Sequence, residues 1–193
     1  MPPVSEKPWT SSSPVATGRQ LVPIHPPLLS ALAHGTLVEA LCLDASITPY
    51  IVSPECTGVW KMRVAQLERE PADAIWVTRL LVLEDDDSSD GCAQGKTTVV
   101  GRAGFHGRPD DERGMVEVGY SIDPLHRRRG HARAALEILL AVARADERVT
   151  VVRASVGPWN EASRALVVGF GFVEVGEQWD EEDGREIVYE LGV

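Results

Sequence analysis

Between Met115 and Ala145 the spacing of apolar residues changes period. Met115 to Ile122 reads MVEVGYSI. Val116, Val118, Tyr120 and Ile122 fall on one side, and Met115, Glu117, Gly119 and Ser121 on the other. That alternation is a strand with one buried face. Asp123 and Pro124 then turn the chain. From His131 the apolar residues recur at Ala132, Ala135, Leu136, Leu139, Val142 and Ala143, the i, i+3, i+4, i+7 stripe of a helix ending near Ala145. A strand leading directly into an amphipathic helix belongs to a sheet that the helix covers, so the chain is α/β.

The remaining segments extend this unit in both directions. Leu28, Leu29, Leu32, Leu37, Val38 and Leu41 make Leu21 to Leu43 helical, with Pro26 and Pro27 where a helix start tolerates proline. Ser53, Pro54 and Glu55 open a second helix that runs to about Arg69, before Pro71. Ala74 to Leu83 and Thr97 to Phe105 read as two strands of a hairpin. The acidic stretch from Glu84 to Gly95 forms its long tip and lacks the spacing of an EF-hand loop. After the central helix come a strand (Val149–Val156), a short helix (Asn160 to about Val168) and two final strands (Phe172–Val175 and Glu186–Leu191). Residues 1–20, rich in Pro, Ser and Thr at the start, read as a flexible tail, leaving 21–193 as one domain.

Composition narrows the function. Acids outnumber bases 29 to 19, for a formal charge of -10. Nucleic-acid binding needs a basic face, whereas acid-rich surfaces steer amines and cationic peptides, or simply keep the chain soluble. No apolar run approaches the roughly 20 residues of a membrane helix. Cys42, Cys56 and Cys92 are odd in number and far apart, and His25, His34, His106, His126 and His131 are scattered. Neither a disulfide framework nor a metal site is expected. The start lacks a basic segment followed by an apolar one, so a reduced, cytoplasmic setting is expected.

One segment carries chemistry. Arg127, Arg128, Arg129 and Gly130 stand before His131 and Ala132 at the entry to a helix. The first N–H groups of a helix lack internal partners and sit at the positive end of its dipole, which makes an anion cradle. Gly130 lets a phosphate approach the backbone, and the small Ala132 keeps the path clear. Glu117 is the lone acid in a strand of apolar and small residues, so it either faces a cleft or is paired.

These residues resemble the signature of the GNAT superfamily of N-acetyltransferases. Its Q/R-x-x-G-x-G/A pattern is matched by Arg127, Gly130 and Ala132. Glu117-Val118-Gly119-Tyr120 is similar to the E-I-G-Y strand of the branch that acetylates ribosomal-protein N-termini. Downstream, Asn160 (the only asparagine in the chain), Ser163 and Gly171-Phe172 fit the family's third motif. The resemblance spans about Ala74 to Leu191 and implies a mostly antiparallel sheet of about six to seven strands flanked by helices. That sheet would splay between its fourth and fifth strands.

The resemblance further implies an acetyl-CoA-dependent transferase, with no metal, that acetylates a primary amine by direct attack. The acceptor would be a small molecule, an amino acid or a peptide N-terminus; no nucleic acid or membrane takes part, and the protein would be a monomer or homodimer. The pyrophosphate would lie on the N–H groups of Arg127, Arg128, Arg129, Gly130, His131 and Ala132. The pantetheine arm would run beside Ser121 and Ile122 and meet Asn160. A backbone N–H near Tyr120 would polarise the thioester carbonyl. Glu117 would be the base, unless it only binds the ammonium or is structural. Many members carry a tyrosine, as acid for the leaving thiolate, where this chain has Val167; that leaves Ser163 or water as the acid, or a thiolate that departs as the anion, unless a different tyrosine, Tyr120, takes the role. A non-catalytic acyl-CoA-binding module, or a transferase of longer acyl groups, are the alternatives.

Overall fold

A computed structural model describes residues 7–36, 45–84, 97–181 and 183–193. In chain order the elements are β1 (Arg19–Val22), α1 (Pro26–Ala33), β2 (Ala45–Ile47), α2 (Pro54–Arg69), β3 (Arg79–Glu84), β4 (Thr97–Phe105), β5 (Met115–Ile122), α3 (His131–Ala145), β6 (Val151–Val156), α4 (Glu161–Gly169), β7 (Val173–Asp180) and β8 (Gly184–Gly192). They build one sheet in the order β1-β3-β4-β5-β6-β8-β7, with β2 paired to the start of β4. Its pairings are antiparallel except β2–β4 and β5–β6. This is the mixed, mostly antiparallel α/β fold that the sequence implies.

Each face of the sheet has its own core. On one side Ala135, Leu136, Leu139 and Leu140 of α3 pack with Phe105, Val116, Val118 and Val152. On the other, Leu29 and Leu32 of α1 and Trp60 of α2 pack with Leu80, Val82 and Val99. The apolar stripe of α3 is wider than its spacing suggests, since Ala134, Ile138 and Leu140 are buried as well. The segment before β1 packs against α3, with Ala16 entering the same core.

That segment corrects the expected tail. Residues 7–20 pack on the domain: Trp9 and Leu21 exchange backbone hydrogen bonds of 2.9 Å, and the Trp9 ring lies 5.7 Å from that of Phe105. Arg79 stacks 3.6 Å over Trp9 and donates to the Lys7 carbonyl at 3.0 Å.

Other boundaries also move. The first helical stretch is strand β1 followed by α1, and Leu37, Val38 and Leu41 lie outside the described residues. Residues 71–75 form a 3₁₀ turn, so β3 starts at Arg79 rather than Ala74. The acidic hairpin tip from residue 85 lies outside the described residues too. β7 runs on to Asp180, because pairing with β8 holds its polar second half.

Candidate active site

The sheet opens between β5 and β6. Pairing covers only Met115–Val151, Val116–Val152 and Glu117–Arg153, after which the strands part. The gap lies beside Ser121 and Ile122, where the sequence places it. In chain order these strands are the fifth and sixth only because the short β2, which pairs off the main path with β4, adds one to the count; without it they are the fourth and fifth, as expected.

Backbone alternation decides what faces the gap. The Glu117 carbonyl accepts from the His106 N–H at 2.8 Å, and the Asp123 N–H donates to the Val100 carbonyl at 3.0 Å. Polar backbone groups of a strand alternate sides. Those of Glu117, Gly119 and Ser121 therefore point to β4, and those of Val118, Tyr120 and Ile122 point toward β6, into the gap. The Ile122 carbonyl accepts from Arg127 Nε at 3.1 Å, and the Ser121 hydroxyl is bonded to Tyr50 at 2.5 Å.

One end of the gap meets the N-terminus of α3. Its N-cap is Gly130, at φ 81°, so no side chain caps the first N–H groups. A Cβ on Gly130 would meet nothing within 4 Å. Arg128 also has positive φ, 63°, which costs a non-glycine residue about 1–3 kcal/mol. The loop is thus open and wound against its backbone preference. Arg127, Arg128 and Arg129 are all exposed, and Arg127 Nε donates back to the Ile122 carbonyl.

The His131 side chain does not face outward with them. It is 3% exposed, and its Nδ1 accepts from Arg19 Nε at 3.2 Å. Burial, with the charge of Arg19 next, pushes its pKa down to about 4, so the ring is neutral at neutral pH. Only its backbone N–H can serve an anion. Arg19 instead brings a cation to the cradle, and donates to the Arg129 carbonyl at 3.4 Å. Sequence reasoning missed it because it sits at the end of the supposed tail. Arg19→Ala is expected to weaken CoA binding about fivefold, or roughly 1 kcal/mol. Calorimetric titration checks this.

Beyond the gap a cleft of about 930 Å³ is floored by Glu117, Gly119 and Tyr120 of β5, Ala154 to Val156 of β6, and Gly157 after it. Asp180, Glu181, Asp183 and Glu186 line its β7–β8 end, and Met62 and Arg69 of α2 face it. Burial, then the charges of Asp180, Glu117 and Asp183, hold the Glu186 carboxyl above its usual range. Trp159 and Trp179, 69% and 78% exposed, stand on the lining. The structure brings Glu117 beside His106, with Oε1 3.9 Å from Nδ1. On the other face of β5, the Tyr120 hydroxyl meets Ser163 Oγ at 2.6 Å, and burial raises its pKa, so it stays protonated. The Asn160 side chain caps α4 by accepting from the Ser163 N–H at 3.1 Å.

The sequence model of the acetyltransferase (GNAT) domain matches residues 37–173, more than half of the chain. The chain belongs to the GNAT acetyltransferases. A stretch of 75 residues is 35% identical to an uncharacterized N-acetyltransferase, YjdG, of Bacillus subtilis. That match spans 39% of this chain and 44% of the relative. The fold is similar to that of the microcin C7 self-immunity acetyltransferase MccE, solved with acetyl-CoA and AMP. There the TM-score is 0.61 at 13% identity, over 99% of this chain and 100% of that one. It is also similar to the ribosomal-protein-S5-alanine acetyltransferase of Vibrio fischeri, with TM-score 0.57 and 16% identity over 91% and 93% of the two chains. RimJ of Mycobacterium smegmatis, solved with CoA-disulfide, gives 0.59 and 14% over 97% and 86%.

The gap and cradle of this GNAT protein suit an acyl-CoA. An uncapped helix end with open space above Gly130 fits a pyrophosphate, and the strand edge from Val118 to Ile122 fits an extended amide-bearing arm. Among the described residues, no group of three or more His, Cys, Asp or Glu is placed to hold a metal, and no helix is long and apolar enough to cross a membrane. Val167 is 0% exposed and sits in the α3-side core. Val167→Tyr is therefore expected to overpack that core, costing about 1–3 kcal/mol in thermal unfolding, rather than to supply an acid.

Proposed function

We propose that this GNAT protein is an N-acetyltransferase that moves an acetyl group from acetyl-CoA to a primary amine on a small molecule, an amino acid or a protein N-terminus. One observation carries the reading. The edge of β5 whose amides face the gap runs from the uncapped α3 N-terminus to Glu117 and His106 in the cleft floor. A single strand thus links an anion cradle to proton-accepting groups.

Acetyl-CoA, when bound, supplies a thioester carbonyl carbon for the amine to attack. The N–H groups of Gly130, His131 and Ala132, with the charges of Arg128, Arg129 and Arg19, hold its phosphates. The Tyr120 N–H polarises the carbonyl as a local oxyanion donor. Carboxylates at the β7–β8 end draw in an ammonium. The hydrogen-bonded hydroxyls of Tyr120 and Ser163 are the protein's nearest proton source for the leaving sulfur. The E-V-G-Y strand and the likeness to an S5-alanine acetyltransferase favour a peptide N-terminus among the acceptors.

Free-thiol release from acetyl-CoA, measured across a panel of amines, amino acids and N-terminal peptides, tests the reading. Amine-dependent release with one acetylated product supports it. Tight CoA binding without release from any amine would make the protein a binding module instead.

A further inference from the structure

The side chain best placed to take the acceptor's proton is His106, at the residue after β4. Its position is fixed through the main chain. Its N–H donates to the Glu117 carbonyl at 2.8 Å. Its carbonyl accepts from Arg63 at 3.0 Å and from Gln66 Nε2 at 2.7 Å. The ring is laid over Gly119: a Cβ there would come within 2.8 Å of Nε2. Gly119 precedes Tyr120, whose N–H faces the gap. Nε2 is therefore one residue from the expected acetyl position, while Nδ1 faces Glu117 at 3.9 Å.

Exposure separates the two groups. The His106 side chain is 51% exposed in the cleft lining, and that of Glu117 is 19% exposed behind it. The more open group, over the glycine, is the one an incoming amine meets. We propose that His106 is the catalytic base of this transferase, and that Glu117 is a positioning residue that orients the imidazole and steadies its charged form. The proposal rests on the transferase reading above.

Proton balance follows directly. The acceptor ammonium gives one proton to Nε2. Its freed lone pair forms the C–N bond, and the C–S bond breaks with its electron pair on sulfur. The Tyr120–Ser163 hydroxyl pair protonates the departing sulfur and is reprotonated by the second nitrogen proton, and the imidazolium returns its proton to solvent across the open side of the cleft. Although half of the side chain is exposed, desolvation of the ring where it packs over Gly119 pushes the His106 pKa below its ordinary 6.5, and the Glu117 charge partly holds it up. Arg63 of α2 and Arg102 of β4 lower it further, while Asp180 of β7 raises it. The ring is neutral, and able to accept a proton, at neutral pH.

His106→Asn and His106→Ala leave the main-chain anchors in place, so folding and CoA affinity are expected to hold. Turnover is expected to fall about 10²- to 10⁴-fold. Added imidazole is expected to restore part of the activity of His106→Ala. In Glu117→Gln, the acid limb of the kcat/KM profile is expected to persist but move to lower pH, because the charge that raises the His106 pKa is gone. Turnover of His106→Asn within a few-fold of the parent, with the acid limb retained, would overturn the proposal; so would loss of that limb in Glu117→Gln. Parent protein that binds CoA but acetylates no amine would instead sink the transferase reading, and this inference with it.

Discussion

Gly130→Asp is expected to weaken CoA binding by 100-fold or more, about 3 kcal/mol, while leaving the fold intact. The left-handed backbone at Gly130 strains most side chains, but aspartate is among the few that enter that region with modest cost. Nothing lies within 4 Å of the new Cβ, so no core contact is lost. The added carboxylate competes for the free N–H groups of α3 and repels a pyrophosphate at the same place. Gly130→Ala separates the two effects, since it adds the backbone strain without the charge. It is expected to lose less than tenfold in affinity, about 1 kcal/mol. Titration of CoA into each variant, with thermal unfolding alongside, makes the comparison. Unchanged CoA affinity in a folded Gly130→Asp protein would move the phosphate site away from α3.

Glu117→Gln is expected to lower turnover about 10²-fold with CoA affinity unchanged. The substitution keeps size and removes the charge opposite Nδ1 of His106, 3.9 Å away. A neutral partner no longer stabilises the imidazolium formed as the amine loses its proton. The carboxylate lines the cleft on the face of β5 opposite Val116 and Val118, which pack in the α3-side core, so phosphate contacts at the α3 N-terminus are expected to stay as they were. Steady-state kinetics discriminate the roles: a raised KM for the amine at constant kcat would make Glu117 a cation anchor. No change in either constant would make it structural.

Local spacing alone placed β5 and α3. In VEVGYSI and the stripe from Ala132 to Ala143, each residue's environment is set by neighbours within a few positions, so period predicts face. The same holds for the helix opened by Pro54 and for the short helix begun at Asn160; that the Asn160 side chain caps this helix emerged only from the structure. The Arg127-x-x-Gly130-x-Ala132 pattern likewise marks a helix end without a side-chain cap, because a glycine at that point has nothing to cap with.

Tertiary structure decided what depends on residues distant in the chain. Trp9, Ala16 and Arg19 look like parts of a loose tail, since their partners Phe105, Arg79 and His131 lie far along the sequence. The place of Val167 in the core follows from α4 packing on the sheet, which no local period states for so short a helix. His106 reads as one histidine among five until β4 and β5 pair. Antiparallel register then sets its ring over Gly119 and beside Glu117, 11 residues on. Periodicity reports which face a residue takes, because backbone geometry repeats locally; which side chains share a cleft depends on strand register, and only packing across the sheet fixes that.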